Sequence, residues 1–154
     1  MDGSGTKLIA LNRKARFNYE VEEDLECGIE LVGSEVKSFR MGKISFPDAF
    51  AVIEDGEVWI RNLHVAEYVF SSIFNHDPDR KRKLLLHKQE IKRLKRKVDE
   101  RGYTLVPLSF YFKNGRVKVS LGLCKGKKAA DKRAAIKDRD VERDTRRELR
   151  ERNR

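Results

Sequence analysis

The chain is poor in the residues that staple small proteins. It has two cysteines, Cys27 and Cys124, and three histidines, His64, His76 and His87, all far apart in sequence. No pair has zinc-ligand spacing and no disulfide framework is suggested, so both thiols are expected in the core of a protein kept in a reducing compartment. Three prolines and ten glycines exclude a proline-rich or collagen-like chain. No apolar run approaches the roughly 18 residues of a membrane span, and no membrane association is expected. Met1 to Lys7 lacks a basic-then-apolar leader pattern, which favours the cytoplasm. Catalytic constellations are also missing. There is no nucleophile elbow, Glu22 and Glu23 alternate faces rather than pairing, and Lys125-Gly126-Lys127-Lys128 has one glycine where a phosphate-cradling loop needs several. These absences predict a protein that is not an enzyme and carries no cofactor and no metal.

What the chain has in excess is charge, unevenly placed. Lysine and arginine number 35 against 25 acids, a net +10 over 154 residues. Residues 1–79 carry net −7, and residues 80–154 carry net +17. A strongly basic half beside an acidic one is the electrostatic footprint of a polyanion binder, with nucleic acid the usual partner.

Hydrophobic periodicity places the elements. From Phe17 to Leu31 the odd positions are apolar, broken only by Glu23, and nearly all even ones are polar; this is a strand with a bend expected at Glu22–Asp24. Gly33–Gly42 reads as a short helix capped by Ser34 and ended by Gly42. Phe50–Ile53 and Val58–Leu63 flank Asp55-Gly56, a tight hairpin turn, and a further strand is expected over Val65–Phe70 before a turn at residues 75–78. Arg82–Arg101 reads as a helix, with Leu84, Ile91, Leu94 and Val98 on one stripe and Lys88, Lys92 and Lys95 on another. Two alternating strands, Val106–Phe112 and Val117–Leu123, meet at Asn114-Gly115. One face of this hairpin is core, and the other carries Tyr111, Lys113, Arg116 and Lys118.

Past residue 124 the composition changes. Residues 125–154 contain no aromatic side chain, and their only large apolar residues are Ile136, Val141 and Leu149. So few contacts cannot offset roughly 1–2 kcal/mol of ordering entropy per residue. The segment is expected to be mobile alone and helical on a partner. The chain thus divides into a domain over residues 1–124 and a basic C-terminal tail over residues 125–154. Its fold class is expected to be mainly β with flanking α-helices, an oligonucleotide-binding-type antiparallel β-barrel, acting as a monomer.

Two clusters read as phosphate contacts from their chemistry. One is the loop with Lys125, Lys127 and Lys128. The other is the run of four cations Arg80–Lys83, which at a helix start would oppose the helix dipole and invite an external anion. Leu85 falls off the helical stripe and is either exposed or a second core contact. Glu26, on the polar face of an acidic strand, reads as solvated.

Four segments carry a resemblance: Ile9-Ala10-Leu11-Asn12-Arg13-Lys14-Ala15-Arg16, Gly33-Ser34-Glu35-Val36-Lys37-Ser38, Arg80-Lys81-Arg82-Lys83-Leu84-Leu85-Leu86, and Lys125-Gly126-Lys127-Lys128 through Asp131-Lys132-Arg133. In this order, over about residues 7–145, the chain resembles the bacterial SsrA-binding (small protein B) family. The resemblance implies a non-enzymatic protein that binds the tRNA-like domain of transfer-messenger RNA. With that RNA it enters stalled ribosomes, so that the stalled peptide is tagged and the ribosome released. The family's RNA-binding positions correspond to Asn12, Tyr19, Glu26, Leu85 and Lys118, joined here by Lys83 and the lysine loop. The resemblance also implies that the tail lies in the ribosomal decoding region and message channel, through Asp131, Lys132, Arg133, Ile136, Lys137 and Arg139. Ala130 stands where some members carry His and Val141 where many carry Trp, and neither side chain can stack on a base. Read from the residues alone, a generic single-strand nucleic-acid-binding barrel, an RNA-processing enzyme and a structural ribosomal protein remain as alternatives.

Overall fold

The computed structural model describes residues 6–68 and 75–126. Nine strands and three helices follow in chain order: β1 (Thr6–Leu11), α1 (Ala15–Asn18), β2 (Tyr19–Ile29), α2 (Gly33–Arg40), β3 (Ile44–Ser45), β4 (Phe50–Glu54), β5 (Glu57–Arg61), β6 (His64–Val65), β7 (Arg82–Leu85), α3 (Lys88–Arg101), β8 (Thr104–Lys113) and β9 (Arg116–Gly126). Every pairing is antiparallel. The main sheet runs β1-β8-β4-β5-β7-β2-β9, and β9 also pairs with β8, so β8, β4, β5, β7, β2 and β9 close on themselves as a ring with β1 attached outside it. A closed ring leaves few open strand edges. No helix among the described residues is long and apolar enough to cross a membrane.

The hairpins form where their turn residues allow. Asp55-Gly56 and Asn114-Gly115 all take positive φ, at 51°, 76°, 52° and 77°, which a two-residue hairpin of this type requires. The bend expected near Glu22 is a β-bulge between Val21 and Glu23.

The structure departs from the sequence expectations in several places. Phe17 and Asn18 belong to α1, and the strand begins at Tyr19. Residues 6–11 form a strand that periodicity did not announce. The strand near Val65 covers only His64–Val65, and residues 69 and 70 lie outside the described residues. Ser34 does not cap α2. The Glu35 carboxylate accepts from the Val32 backbone N–H at 2.9 Å, and the Ser34 hydroxyl instead meets His76 Nδ1 at 2.8 Å. Finally, Arg82–Leu85 is strand β7 and the helix starts at Lys88, marked by the Glu90 carboxylate accepting from the His87 N–H at 3.0 Å. Leu84 matched the helical stripe by coincidence: it is buried as an inward-facing strand residue.

Inside the ring lie Val58, Ile60, Leu84, Phe110, Val119, Leu121 and Leu123, all essentially inaccessible. Burial of such a side chain contributes about 1.5–3 kcal/mol. Phe110 packs between Phe39 of α2 and Phe46, with ring centroids 5.3 and 4.8 Å away. Ile91, Leu94 and Val98 of α3 join the same core. Beyond them, α3 is tied to the bulged start of β2, with Arg93 2.5 Å from Glu23 and Lys97 3.7 Å from Glu22. A second, smaller cluster joins Ala15, Val106, Leu108 and Cys124 with Tyr19 and Val21 on the outside of the ring. Here Gly122 lets Leu108 pack closely, because a Cβ would come within 2.9 Å of Leu108 Cδ1 and force that side chain to shift.

Two charged side chains, Arg82 and Glu35, sit among the largest fully buried ones. The Arg82 guanidinium donates to Glu35 at 2.5 Å and to the carbonyls of Leu63, Arg80, Asp77 and Pro78 at 2.8–3.2 Å. Arg80 donates to the same carboxylate. Burial pushes the Glu35 carboxyl up, but the Arg80, Val32 and Arg82 donors outweigh it and hold it below its ordinary value of 4.5. Arg82→Met is expected to cost about 3–5 kcal/mol in urea unfolding, because Glu35 is left buried with only part of its partners. Adding Glu35→Leu is expected to recover only part of that loss, since four backbone carbonyls still lack their donor. The depressed Glu35 pKa contributes stability that is fully present above pH 4.5 and lost as pH falls below it; the Glu35→Leu/Arg82→Met protein is expected to show a shallower acid limb than the parent.

Candidate nucleic-acid interface

Strand register turns residues distant in sequence into neighbours. Leu8 pairs with Tyr111, Tyr111 with Lys118, Lys118 with Gly28 and Gly28 with Leu85, forming one cross-strand row over β1, β8, β9, β2 and β7. The row beside it runs Leu11–Ser109–Ser120–Glu26. Cross-strand partners share a face. Their neighbours Phe110, Val119, Cys27 and Leu84 are buried in the core, so both rows lie on the outer wall of the ring. This is the face expected to carry Tyr111, Lys113, Arg116 and Lys118.

Within the wall, Glu26 is clamped. The Tyr111 hydroxyl donates to its carboxylate at 2.5 Å, and Lys113 Nζ lies 3.3 Å away. The Tyr111 hydrogen bond, with help from Lys113 and Lys118, outweighs desolvation and holds the Glu26 carboxyl below its ordinary value. Burial and the Glu26 carboxylate together push the Tyr111 hydroxyl well up. Leu85 is 48% exposed and lies over Gly28, where an added Cβ would sit 3.3 Å from it. Between the sequence alternatives, exposed or core, Leu85 is exposed. Lys83 shares the Leu85 face two residues earlier and reaches Glu57 at 3.7 Å.

The remaining candidate residues fall elsewhere. Tyr19 starts β2 and packs partly against the second cluster on the same wall, opposite Gly126. Lys125, expected in a loop past a domain ending at residue 124, instead belongs to β9, which runs on to Gly126; it is exposed and pairs with Glu20, so alternation turns it away from Tyr19's side of the ladder. Asn12 is buried. Its carboxamide donates to the Pro107 carbonyl at 3.0 Å and accepts from the Ala15 N–H at 3.2 Å. It therefore fixes the β1–α1 corner, from which Arg13 and Arg16 project. Lys127, Lys128, Asp131, Lys132, Arg133, Ile136, Lys137 and Arg139 lie outside the described residues, as do Ala130 and Val141.

The cation run Arg80–Lys83 behaves differently from the expectation. It runs into strand β7 rather than a helix, and its cations have partners within the fold: Arg80 and Arg82 share Glu35, Lys81 meets Glu54 and lies 4.6 Å from the Trp59 ring centroid, and Lys83 meets Glu57. With a strand in place of a helix start, the helix dipole that these cations were expected to oppose is not there. By contrast, the Lys88, Lys92 and Lys95 stripe is exposed as expected. Sequence reasoning missed Leu8, Leu11 and the Tyr111–Glu26 contact, all of which depend on strand register. Among the described residues no cluster of His, Cys, Asp and Glu could hold a metal ion.

Comparison with known proteins is consistent along the whole chain. Residues 9–151 match the family model described as SmpB protein. An SsrA-binding protein from Treponema denticola is 67% identical over 149 residues, 97% of each chain. One from Treponema pallidum is 63% identical over 153 residues, 99% of each. A solved structure described as "tmRNA-SmpB: a journey to the center of the bacterial ribosome" aligns with TM-score 0.66 and 52% identity, covering 82% of this chain and 93% of its own.

The Tyr111 clamp makes a direct prediction. In Tyr111→Phe the Glu26 carboxyl loses its main donor, and its titration, followed by carboxyl-carbon NMR, is expected to move upward toward 4.5.

Proposed function

The chain belongs to the SmpB family of SsrA-binding proteins, and from this we propose how it grips its RNA. The outer wall holds the tRNA-like domain of transfer-messenger RNA. Glu26, Leu85 and Lys118 are at its centre, with Lys83 and Tyr19 at its margins and Asn12 holding the adjoining corner. Lys125, Lys127 and Lys128 add phosphate contacts where the body ends. The basic segment beyond Gly126, where β9 ends, forms a separate unit that orders in the ribosomal decoding region and message channel through Asp131, Lys132, Arg133, Ile136, Lys137 and Arg139. The protein works as one copy in the cytoplasm, without cofactor or catalysis, delivering transfer-messenger RNA to stalled ribosomes so that the trapped peptide is tagged and the ribosome released.

The observation that carries this reading is the convergence of Glu26, Leu85 and Lys118 on two adjacent rows of one wall. The carboxylate suits donors on a base edge or ribose, the ammonium suits a phosphate, and the exposed leucine suits the face of a base or sugar.

Lys118→Ala is expected to weaken binding to transfer-messenger RNA and to make the slope of log affinity against log salt shallower by about 0.7–0.9; a filter-binding series at several salt concentrations reads both. An unchanged slope would remove Lys118 from the interface. Competition with an unstructured oligonucleotide distinguishes this reading from a generic single-strand binder, and the structured RNA is expected to win. Truncation after Lys128 is expected to spare RNA binding and abolish peptide tagging in a translation extract; retained tagging would overturn the assignment of the tail.

A further inference from the structure

Where β1 ends against the outer wall there is a pocket of about 300 Å³ lined by Leu11, Arg13, Arg16, Leu108, Ser109 and Ser120, with buried Asn12 at its back. Its volume lies at the low end of the range for small-molecule sites, roughly 300–1,000 Å³. No hydrogen bond or ion pair within the described residues engages the Ser109 and Ser120 side chains, Arg13 or Arg16.

A backbone irregularity creates this pocket. The pairing of β1 with β8 shifts between Leu8 and Ala10. In a regular strand, residues three apart point to opposite faces. The bulge instead lets Ile9 and Ala10 both pack against the core, while Leu8 and Leu11 both emerge, 60% and 55% exposed. Leu11 therefore stands as an apolar wall beside Ser109, its direct partner. Ser109 in turn pairs with Ser120, and Ser120 with Glu26, so the pocket adjoins the Glu26 end of the interface. Two hydroxyls that can each donate or accept sit side by side, and two guanidinium groups flank the opening.

We propose that this pocket takes one unstacked nucleotide of a structured RNA, its base face on Leu11, its base edge or 2′-hydroxyl on Ser109 and Ser120, and its phosphate on Arg13 and Arg16. An apolar plane, adaptable hydroxyls and a cationic rim match the three parts of a nucleotide. A carboxylate-rich ligand would meet Glu26 at the pocket's edge, and a purely apolar one would leave both hydroxyls and both arginines unused. The inference rests on the RNA-binding reading above and extends it to residues outside the expected set.

The test uses the full chain and transfer-messenger RNA. Ser120→Leu fills the pocket without touching the core and is expected to lower affinity at least ten-fold with the salt slope unchanged. Arg13→Gln with Arg16→Gln is expected to make the slope shallower by about 0.7–0.9, because the two side chains share one phosphate. Leu11→Asn provides an independent variant on an exposed position. With 2′-hydroxyl acylation as readout, one unpaired nucleotide is expected to be protected in the parent complex and reactive in the Ser120→Leu and Leu11→Asn complexes. Affinities within two-fold of the parent for all variants, together with identical acylation patterns, would overturn the pocket assignment while leaving the RNA-binding reading intact. Failure of the parent to prefer transfer-messenger RNA over an unstructured oligonucleotide would overturn that reading, and the pocket with it.

Discussion

The buried contact between Glu35 and Arg82 organises the rest of the body. It joins α2 to β7, and through the carbonyls of Leu63, Asp77, Pro78 and Arg80 it also fixes the chain on both sides of β6. β7 is only four residues long and pairs with β2 through just two of them, Gly28 with Leu85 and Ile29 with Leu84. So short a strand has little holding power of its own. Its phase, with Leu84 turned in and Leu85 turned out, is set by its three pairs with β5 and reinforced by the arginine inside the protein. An ion pair in a core is weak evidence for net stability, since desolvation consumes most of the Coulomb gain. Its value here is register: slipping β7 by one residue would carry Leu85 into the core and expose Leu84.

The outer wall depends on three more irregularities. Register shifts in β1, β2 and β8 fall between Leu8 and Ala10, Val21 and Glu23, and Pro107 and Ser109. Each changes which residues face outward. The one in β2 turns Glu23 toward Arg93 of α3, so α3 is tethered beside the core it completes. The one in β8 leaves Leu108 packed over Gly122 while Ser109 still pairs with Ser120. A perfectly alternating sheet would have exposed fewer leucines and separated the serines. Bulges of this kind are how sheets re-aim side chains near binding sites.

Much of this was legible in the sequence, for reasons that identify what was not. The two Asx-Gly hairpins, the bend in β2, the C-terminal ends of α2 and α3 and the alternation of β9 are local signals, and all appear in the structure; the alternation expected of β8 holds only past its bulge, before which Val106 and Leu108 face the outer cluster. β1 was missed because its bulge destroys the period-two pattern: Leu8, Ile9, Ala10 and Leu11 read as a featureless apolar run. β7 was absorbed into a helix because four residues give too short a window to tell the two periods apart. Glu26 read as solvated because its partner Tyr111 is 85 residues away, and nothing in local sequence reports a cross-strand contact. Resemblance to a family supplied Glu26 and Leu85 as candidates where periodicity could not, while Leu11, Ser109 and Ser120 came into view only with the register.

A carboxylate at the centre of a cationic wall is a poor choice for affinity alone. Lys113, Arg116 and Lys118 attract any polyanion, and Glu26 subtracts from that attraction. Tyr111 and Lys113 nevertheless keep Glu26 ionised and fixed in place. A fixed anion repels a phosphate and rewards a ligand that presents donors at that point, as a ribose hydroxyl or a base amino group does. Tyr111, the one aromatic ring in the two rows, has its hydroxyl held by Glu26 and so does not turn freely into a stacking platform of the sort single-strand binders use. The surface therefore matches a nucleic acid whose backbone is already folded into a defined shape, with phosphates over the lysines and a hydroxyl-rich or amino-bearing edge over Glu26. On the proposed reading, specificity at this wall comes from the charge that opposes binding, and affinity from the charges around it.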